Sequence, residues 1–295
     1  MTTLALIGPG AIGGTLATWL AQRGDLDLTV CVRTPFERLV LETPDGEVTA
    51  TPRLVTSPEI LEERGLAPVD WVLVATKAYD DATAAPWLKT LVGPDTRVAV
   101  IRNGVEHREA FAGRVADENL VPVIVDFPAE RPGPGVFRQR RYGWIRVPEG
   151  AAGEAFVALF EGCPIDVATT DDFVSVAWRK LALNAAGAVN AMTLKPSGVA
   201  HDPGAAAVMK TLVAECVAVG RAEGATLSDD IGEQVVEGYR AGPPDMVNSL
   251  LADRAAGRPM ELDARNGVIV RRGEKHGIAT PANAMIVALL NAAAG

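Results

Sequence analysis

A glycine-rich turn at the start of the chain constrains its fold more than any other feature. It follows an apolar run at residues 4–7, precedes an amphipathic helical pattern, and consists of Gly8, Pro9, Gly10, Ala11, Ile12 and Gly13. In a dinucleotide-binding unit the first glycine makes the turn, the second lets a pyrophosphate approach the backbone, and the third lets the helix pack closely on the strand. The helix N-terminus adds unpaired N–H groups and a partial positive charge. Glycines also mark ordinary turns, but the position of this turn between a strand and a helix predicts cofactor binding.

The first half of the chain alternates between strand and helix patterns. Apolar runs occur at residues 28–32, 71–75 and 98–101, with helical stretches at 58–63 and 82–91 between them. Because the runs are apolar throughout, they are typical of parallel strands buried on both faces. The pattern predicts an α/β fold with a Rossmann-type doubly wound sheet. A proline-rich segment at 120–147 with short β-type runs predicts an antiparallel extension, followed by a helix at 153–161 and a strand at 165–167.

After Asp171 and Asp172, either of which suits a helix N-cap, helical periodicity and alanine dominate almost to the end of the chain. We therefore predict two domains: a Rossmann-type domain over residues 1–168 and an all-α domain over residues 169–295. The alanine-rich helices could pair between two copies in a homodimer, but an intramolecular bundle needs the same apolar faces.

Composition limits the classes of partner. The formal net charge is −9, and an acidic chain is a poor default binder of nucleic acid or anionic membranes. No apolar run reaches the length of a membrane span. The cysteines Cys31, Cys163 and Cys216 are widely separated, which points to a reducing, cytoplasmic compartment. No His/Cys cluster has zinc-ligand spacing and no GxSxG motif occurs, so we expect neither a metal site nor a serine hydrolase.

The residue after the second strand pattern bears on the choice of cofactor. An NAD site usually has Asp or Glu there to bind the ribose 2′-hydroxyl, but this chain has Arg33. The planar guanidinium of arginine suits a 2′-phosphate, so the sequence favours NADP over NAD. A solvated residue at a strand end is the alternative interpretation.

Polar residues recur where a ligand would bind. Lys77 and Asn103 follow two of the predicted strands, and the carboxyl ends of parallel strands line the ligand crevice of such sheets. Lys180 and Asn184 are four residues apart on an otherwise apolar helix, so they share one face. A lysine on a helix is usually solvated. The other polar residues of the chain favour the hypothesis that Lys180 belongs to a site.

A second polar group lies near residue 260. Pro259 suits a helix start, which would put Glu261 in the first turn, where a carboxylate is favoured. Simple compensation of the helix dipole, with an i,i+4 pair to Arg265, is the alternative.

Taken together, these segments resemble the ketopantoate reductase family over nearly the whole chain. Besides the glycine turn, the resemblance rests on short motifs in a set order: Thr76-Lys77-Ala78, Asn103-Gly104-Val105, Trp178-Arg179-Lys180-Leu181 with Asn184, Ser249-Leu250-Leu251 with Asp253, Gly257-Arg258-Pro259, Glu261-Leu262-Asp263, Asn266-Gly267, Gly277-Ile278 and Thr280-Pro281. It implies an N-terminal NADP-binding domain and a C-terminal helical substrate domain, with the active site between them.

The resemblance also implies roles for single residues. Lys180 corresponds to the catalytic lysine, and Asn184 and Ser249 would bind the hydroxyl and carboxylate end of the substrate. Asn103 would contact the nicotinamide ribose and the substrate. Glu261 would orient Lys180 or the cofactor ribose.

At the adenosine end of the cofactor, the resemblance assigns the phosphate contacts to Arg33 and Lys77. One position departs from the family. Members commonly carry a second asparagine four residues after Asn184, where this chain has Ala188. Asn190 is nearby but would face elsewhere unless Gly187 disturbs the helix.

These observations predict NADPH-dependent reduction of a small 2-oxo acid, ketopantoate or a close analogue, with Lys180 as general acid. One alternative is a reductase or dehydrogenase of a different 2-oxo or hydroxy acid on the same plan, which Ala188 keeps open. The other is a non-catalytic NADP-binding redox sensor, which would have no reason to keep Lys180, Asn184, Ser249 and Glu261 together.

Overall fold

The computed structural model describes residues 1–294, which divide into two compact units. The first comprises Met1–Arg102 and Glu106–Asp171, and the second comprises Asn103–Val105 and the chain from Asp172 onward. The short Asn103–Val105 segment therefore packs with the helices of the second unit, although its neighbours in sequence on both sides belong to the first.

Within the first unit an eight-stranded sheet forms in the order β12-β11-β8-β7-β6-β1-β2-β5. Its strands are β1 (Thr2–Ile7), β2 (Leu26–Cys31), β5 (Arg53–Val55), β6 (Trp71–Val74), β7 (Arg97–Ile101), β8 (Leu120–Asp126), β11 (Trp144–Pro148) and β12 (Asp166–Thr170). Six neighbouring strands pair in parallel, in the order β5-β2-β1-β6-β7-β8. Strand β11 pairs antiparallel with β8, and β12 is parallel to β11. The predicted α/β class and parallel sheet are confirmed.

The predicted antiparallel extension is only partly right. Residues 136–139 do not extend the main sheet but join a four-stranded second sheet, ordered β4-β3-β10-β9. Its strands are β3 (Leu39–Thr43), β4 (Gly46–Ala50), β9 (Ala129–Gly133) and β10 (Val136–Gln139). The physical reason is the fully buried ring of Phe137, which packs against the first helix of the unit at Gly14.

The helices of the first unit are α1 (Ala11–Leu20), α2 (Pro58–Glu63), α3 (Asp81–Leu91) and α4 (Ala151–Leu159). Helix α1 follows β1 directly, and its N-cap is Gly10. Proline opens α2, as its fixed φ and missing N–H allow at a first helical position. The strand–turn–helix order predicted from the glycine turn is the order that forms.

The second unit is helical. It contains α5 (Phe173–Ala186), α6 (Ala188–Thr193), α7 (Pro203–Ala222), α8 (Ile231–Ala241), α9 (Ser249–Ala255), α10 (Val268–His276) and α11 (Pro281–Ala293). Of the two predicted N-caps, Asp172 is the one used, and its side chain accepts a hydrogen bond from the Ser175 amide at 3.1 Å. The apolar faces of these helices form one core, in which Trp178, Met209 and Leu290 are buried.

The expected helix start at Pro259 is wrong. A π-helical turn at Asp263–Gly267 precedes α10 instead, with the Gly267 amide bonded to the Leu262 carbonyl at 3.0 Å. Asn266 fixes this turn, because its side-chain amide donates to the Ala185 carbonyl and to Asn283 Oδ1. Single π-helical turns are often found at functional sites.

The sequence predicts no apolar run as long as a membrane span, but helix α7 has that length and hydropathy, alone among the helices within residues 1–294. Of its most apolar 18-residue stretch, 44% is buried. Its residues Met209, Leu212 and Cys216 are fully buried in the core of the helical unit. This is the burial of a core helix.

The contact between Gly14 and Phe137 predicts a stability effect. A Cβ added at Gly14 would lie 2.0 Å from Phe137 Cε1, so Gly14→Ala must displace a buried ring. Overpacking of this kind costs about 1–3 kcal/mol, more than the roughly 1 kcal/mol by which alanine is favoured over glycine in a helix. We expect the urea midpoint of Gly14→Ala to fall and Phe137→Leu to rescue part of the loss.

The matched control is Gly238→Ala. Gly238 is exposed on α8, and a Cβ there would meet no atom within 4 Å, so this substitution should raise the midpoint. A Gly14→Ala protein as stable as wild type would contradict the assigned packing.

Candidate active site

The glycine turn of the first unit has the geometry that a bound dinucleotide requires. Gly8 has φ +85°, and a Cβ there would lie 2.9 Å from the Thr76 amide nitrogen. A Cβ on Gly13 would lie 2.3 Å from the Gly8 carbonyl oxygen, so only glycine allows this close packing of helix on strand. Gly10 faces open space and caps α1, whose first turn holds no acidic residue. The partly exposed backbone at the positive end of this helix fits a pyrophosphate.

Three neighbouring strands bring the cofactor candidates to one edge of the sheet. Strands β6, β1 and β2 lie side by side in parallel, and Lys77, Gly8 and Arg33 follow their carboxyl ends. Arg33 is exposed and Lys77 is partly buried. Two cations therefore follow strands beside the glycine turn, and no acid stands at the end of β2, where an NAD site usually has one.

In the helical unit, Asn103 connects two predicted site residues. Its side-chain Nδ2 donates to Glu261 Oε2 at 3.0 Å, and its Oδ1 accepts from Asn184 Nδ2 at 3.4 Å. Gly104 makes this approach possible, because its φ is +93° and a Cβ there would lie 2.5 Å from the Ala264 carbonyl oxygen. Asn103, Asn184 and Glu261 thus form one hydrogen-bonded chain.

Lys180 lies on α5, one helical turn before Asn184 and on the same face. Its neighbours Ala177, Trp178 and Leu181 are buried in the core, while Lys180 itself is partly exposed. Lys180 therefore lies at the edge of the buried side of the helix, one turn from Asn184.

Ser249 is held at the first position of α9. The preceding Asn248 accepts a hydrogen bond from the Leu251 amide at 2.9 Å and donates to the Gly187 carbonyl at 3.1 Å. Asn248 thereby fixes the start of α9 against the end of α5. The Ser249 residue is exposed, and its Oγ accepts a hydrogen bond from Arg265 Nη2 at 2.8 Å.

Glu261 and Arg265 are two buried residues of opposite charge. Glu261 is 5% exposed and Arg265 is 4% exposed. Burial lowers the pKa of the Arg265 guanidinium below its ordinary value, and the negative charges of Glu261 and Asp253 oppose that shift. Arginine side chains are not deprotonated in proteins, so Arg265 carries a positive charge. Asp253 also accepts a hydrogen bond from Arg258 Nε at 3.0 Å.

The position that departs from the family is closed to polar contact. Ala188 is fully buried in the apolar core of the helical unit. Asn190 does not replace the missing asparagine, because its Nδ2 donates to the Lys195 carbonyl at 3.1 Å and its own carbonyl accepts from the Lys195 amide. Asn190 stabilises the end of α6. Asn184 is the asparagine that joins the polar chain.

Sequence reasoning missed the importance of Arg265 and Asn248. The sequence pattern predicted Arg265 only as an i,i+4 partner of Glu261. Its contact with Ser249 joins residues 16 positions apart, on either side of a turn that no helical pattern predicts. For Asn248 a signal existed: an asparagine directly before a helical run is a common N-cap.

Known families and relatives match nearly the whole chain. Residues 4–152 match the family model for ketopantoate reductase PanE/ApbA, and residues 172–294 match the model for the C-terminal part of that family. A protein of Caulobacter vibrioides named 2-dehydropantoate 2-reductase is 67% identical over 294 residues, which cover 100% of both chains.

Solved structures share the fold. A PanE/ApbA family ketopantoate reductase from Ralstonia eutropha is 29% identical, with a TM-score of 0.88 over 99% of this chain and 98% of the other. A dimeric ketopantoate reductase from Staphylococcus aureus is 23% identical, with a TM-score of 0.86 over 99% and 98% of the two chains. The chain belongs to the ketopantoate reductase family.

Proposed function

We propose that the chain reduces 2-dehydropantoate (ketopantoate) to pantoate with NADPH as the reductant. The family is one of nicotinamide-dependent oxidoreductases. The observation that carries the substrate assignment is the 67% identity, over the full length of both chains, to the relative named 2-dehydropantoate 2-reductase. The reaction class is supported independently by the hydrogen-bonded chain of Asn103, Asn184 and Glu261 near Lys180.

When bound, NADPH supplies a hydride to the carbonyl carbon of the 2-oxo acid. Negative charge then develops on the carbonyl oxygen. The Lys180 ammonium stabilises that charge and donates a proton to the oxygen, so that the ketone becomes a secondary alcohol and the lysine becomes a neutral amine. The proton is regained from solvent between turnovers.

The remaining polar residues position the reactants. Glu261 and Asn184 hold the Asn103 amide at both ends, which fixes the plane it presents to a ligand. Ser249, at an exposed position and hydrogen-bonded to Arg265, binds the carboxylate end of the substrate.

We assign the adenosine end of the cofactor to the first unit. The pyrophosphate binds at the Gly8–Gly13 turn, and Arg33 and Lys77 bind the 2′-phosphate. What supports this assignment is the placement of the three segments on adjacent parallel strands.

The test of the proposed activity is NADPH oxidation, followed by absorbance, with ketopantoate and a panel of other 2-oxo acids. We expect the highest kcat/KM with ketopantoate. A clear preference for another 2-oxo acid would overturn the substrate assignment. NADPH binding with no turnover on the whole panel would support a redox sensor instead.

Replacement of the proposed general acid should abolish most catalysis. We expect Lys180→Met to lower kcat by about 10²–10⁴-fold, the usual contribution of a general acid, with the Kd for NADPH nearly unchanged. The matched control is Lys210→Met, which removes a lysine that pairs with Glu233 on the surface of α7 and α8. Wild-type turnover in Lys180→Met would refute the assignment.

Replacement of Arg33 should change cofactor preference. We expect Arg33→Gln to raise the KM for NADPH on the order of 10-fold, since a charge-assisted contact to the 2′-phosphate is lost, and to leave the KM for NADH unchanged. Arg114→Gln, at another exposed arginine of the same unit, serves as the control. If the ratio of the two KM values stays at the wild-type figure, another residue recognises the 2′-phosphate.

Two further assignments concern the chain as a whole. We propose a homodimer, which light scattering would detect as twice the mass of the chain.

We also propose a cytoplasmic location. The three cysteines are free thiols, and burial raises the pKa of Cys31 to about 12 and that of Cys163 to about 11. Such thiols react slowly, which suits a reducing compartment without requiring one.

A further inference from the structure

Behind Ser249 lies a buried cation that the mechanism above does not use. We propose that Arg265 is a positioning residue that orients the Ser249 hydroxyl and makes this part of the site selective for a substrate that carries a carboxylate. The inference rests on the proposed function. In it, Arg265 is the group that lets the Ser249 subsite distinguish an acid from its neutral ester or lactone.

The first support is the direction of the hydrogen bond. Arg265 has only donors, so its Nη2 donates to Ser249 Oγ at 2.8 Å. A hydroxyl that accepts on one side directs its own hydrogen elsewhere. Because Ser249 is exposed whereas Arg265 is 4% exposed, that hydrogen is available to an acceptor on a ligand. A carboxylate oxygen is the strongest such acceptor.

The second support is the local charge. Glu261 and Asp253 are the carboxylates whose charges act on Arg265, and each already accepts a hydrogen bond from another side chain, Asn103 and Arg258 respectively. The two carboxylates whose charges act on the Arg265 guanidinium are therefore also engaged by other donors. A buried nitrogen of the same group, Arg265 Nε, has no hydrogen-bond partner among residues 1–294.

The third support is the rigid placement of Arg265. It lies in the π-helical turn at Asp263–Gly267, and the adjacent Asn266 anchors that turn to the Ala185 carbonyl at 3.2 Å. Ser249 is fixed from the other side by Asn248. Both ends of the Arg265–Ser249 contact are therefore held by hydrogen bonds to α5 or to Gly187, which directly follows it. A ligand would meet a preformed donor.

The experiment compares an acid with its neutral counterpart in Arg265→Met, Arg265→Lys and wild type. Kinetics use ketopantoate and ketopantoyl lactone. For Arg265→Met we expect the KM for ketopantoate to rise about 10- to 100-fold, the effect of losing a hydrogen bond that involves a charged group. We expect kcat and the KM for the lactone to change by less than about threefold. Arg265→Lys should restore part of the loss, since it keeps the charge but not the planar group.

A double-mutant cycle tests whether Arg265 acts through Ser249. In a Ser249→Ala background, Arg265→Met should add little to the rise in KM for ketopantoate. The structural control is Arg254→Met. Arg254 lies on the same short helix as Ser249 and donates to the Met192 carbonyl at 2.8 Å, so its loss tests general weakening of α9. We expect no difference between acid and lactone in that variant.

Calorimetric binding of pantoate and pantolactone separates this inference from the proposed reaction. Weaker binding of pantoate but not pantolactone to Arg265→Met supports the role of Arg265 even if wild type reduces no 2-oxo acid, a result that would refute the reaction alone. Equal losses for acid and lactone, or no loss for either, would overturn the inference whatever the activity of wild type.

Discussion

The hydrogen bond from Asn103 to the buried carboxylate of Glu261 is the contact on which the candidate site depends. A carboxylate that is 5% exposed needs hydrogen-bond donors, and Asn103 provides one at 3.0 Å. The donor comes from a three-residue segment that leaves the sheet after β7 and packs with the helices. Gly104 makes that path possible, since its positive φ and missing side chain allow contact with the Ala264 carbonyl. A strand-end residue and a helix residue four positions after Lys180 thus meet in one polar chain.

Around this chain the helical unit is organised by hydrogen bonds from asparagines. Asn248 fixes the start of α9, Asn266 fixes the π-helical turn, and Asn190 closes the end of α6. Each satisfies backbone carbonyls or amides that the irregular ends of helices leave open. Ala188 is small and fully buried, so this part of α6 packs in the core and leaves Asn184 to face the polar chain. In the proposed site, recognition of the substrate hydroxyl would therefore rely on Asn184 without the second asparagine that the family commonly carries.

The sequence predicted what depends on local patterns. Apolar runs identified β6 and β7 because both strands are buried on both faces, and the glycine turn identified α1 because its spacing encodes three separate steric demands. The second sheet was missed because β4 is largely exposed and lacks an apolar run, although the Asp45-Gly46 pair before it is a typical turn signal. The π-helical turn and the Arg265–Ser249 contact could not be predicted, since both depend on residues distant in sequence. Lys180 and Glu261 were predicted as site residues through the family resemblance, while the contacts of Asn103 with Glu261 and Asn184 came only from the structure.

A double-mutant cycle on Asn103 and Glu261 tests the central claim most directly. Asn103→Ala, Glu261→Gln and the double variant would be compared by kcat/KM with ketopantoate and NADPH. If the two side chains act as one hydrogen-bonded unit, each single change lowers kcat/KM and the double variant is hardly worse than the more severe single one. If the losses multiply independently, Asn103 and Glu261 act separately, and the polar chain is not the unit that organises the site.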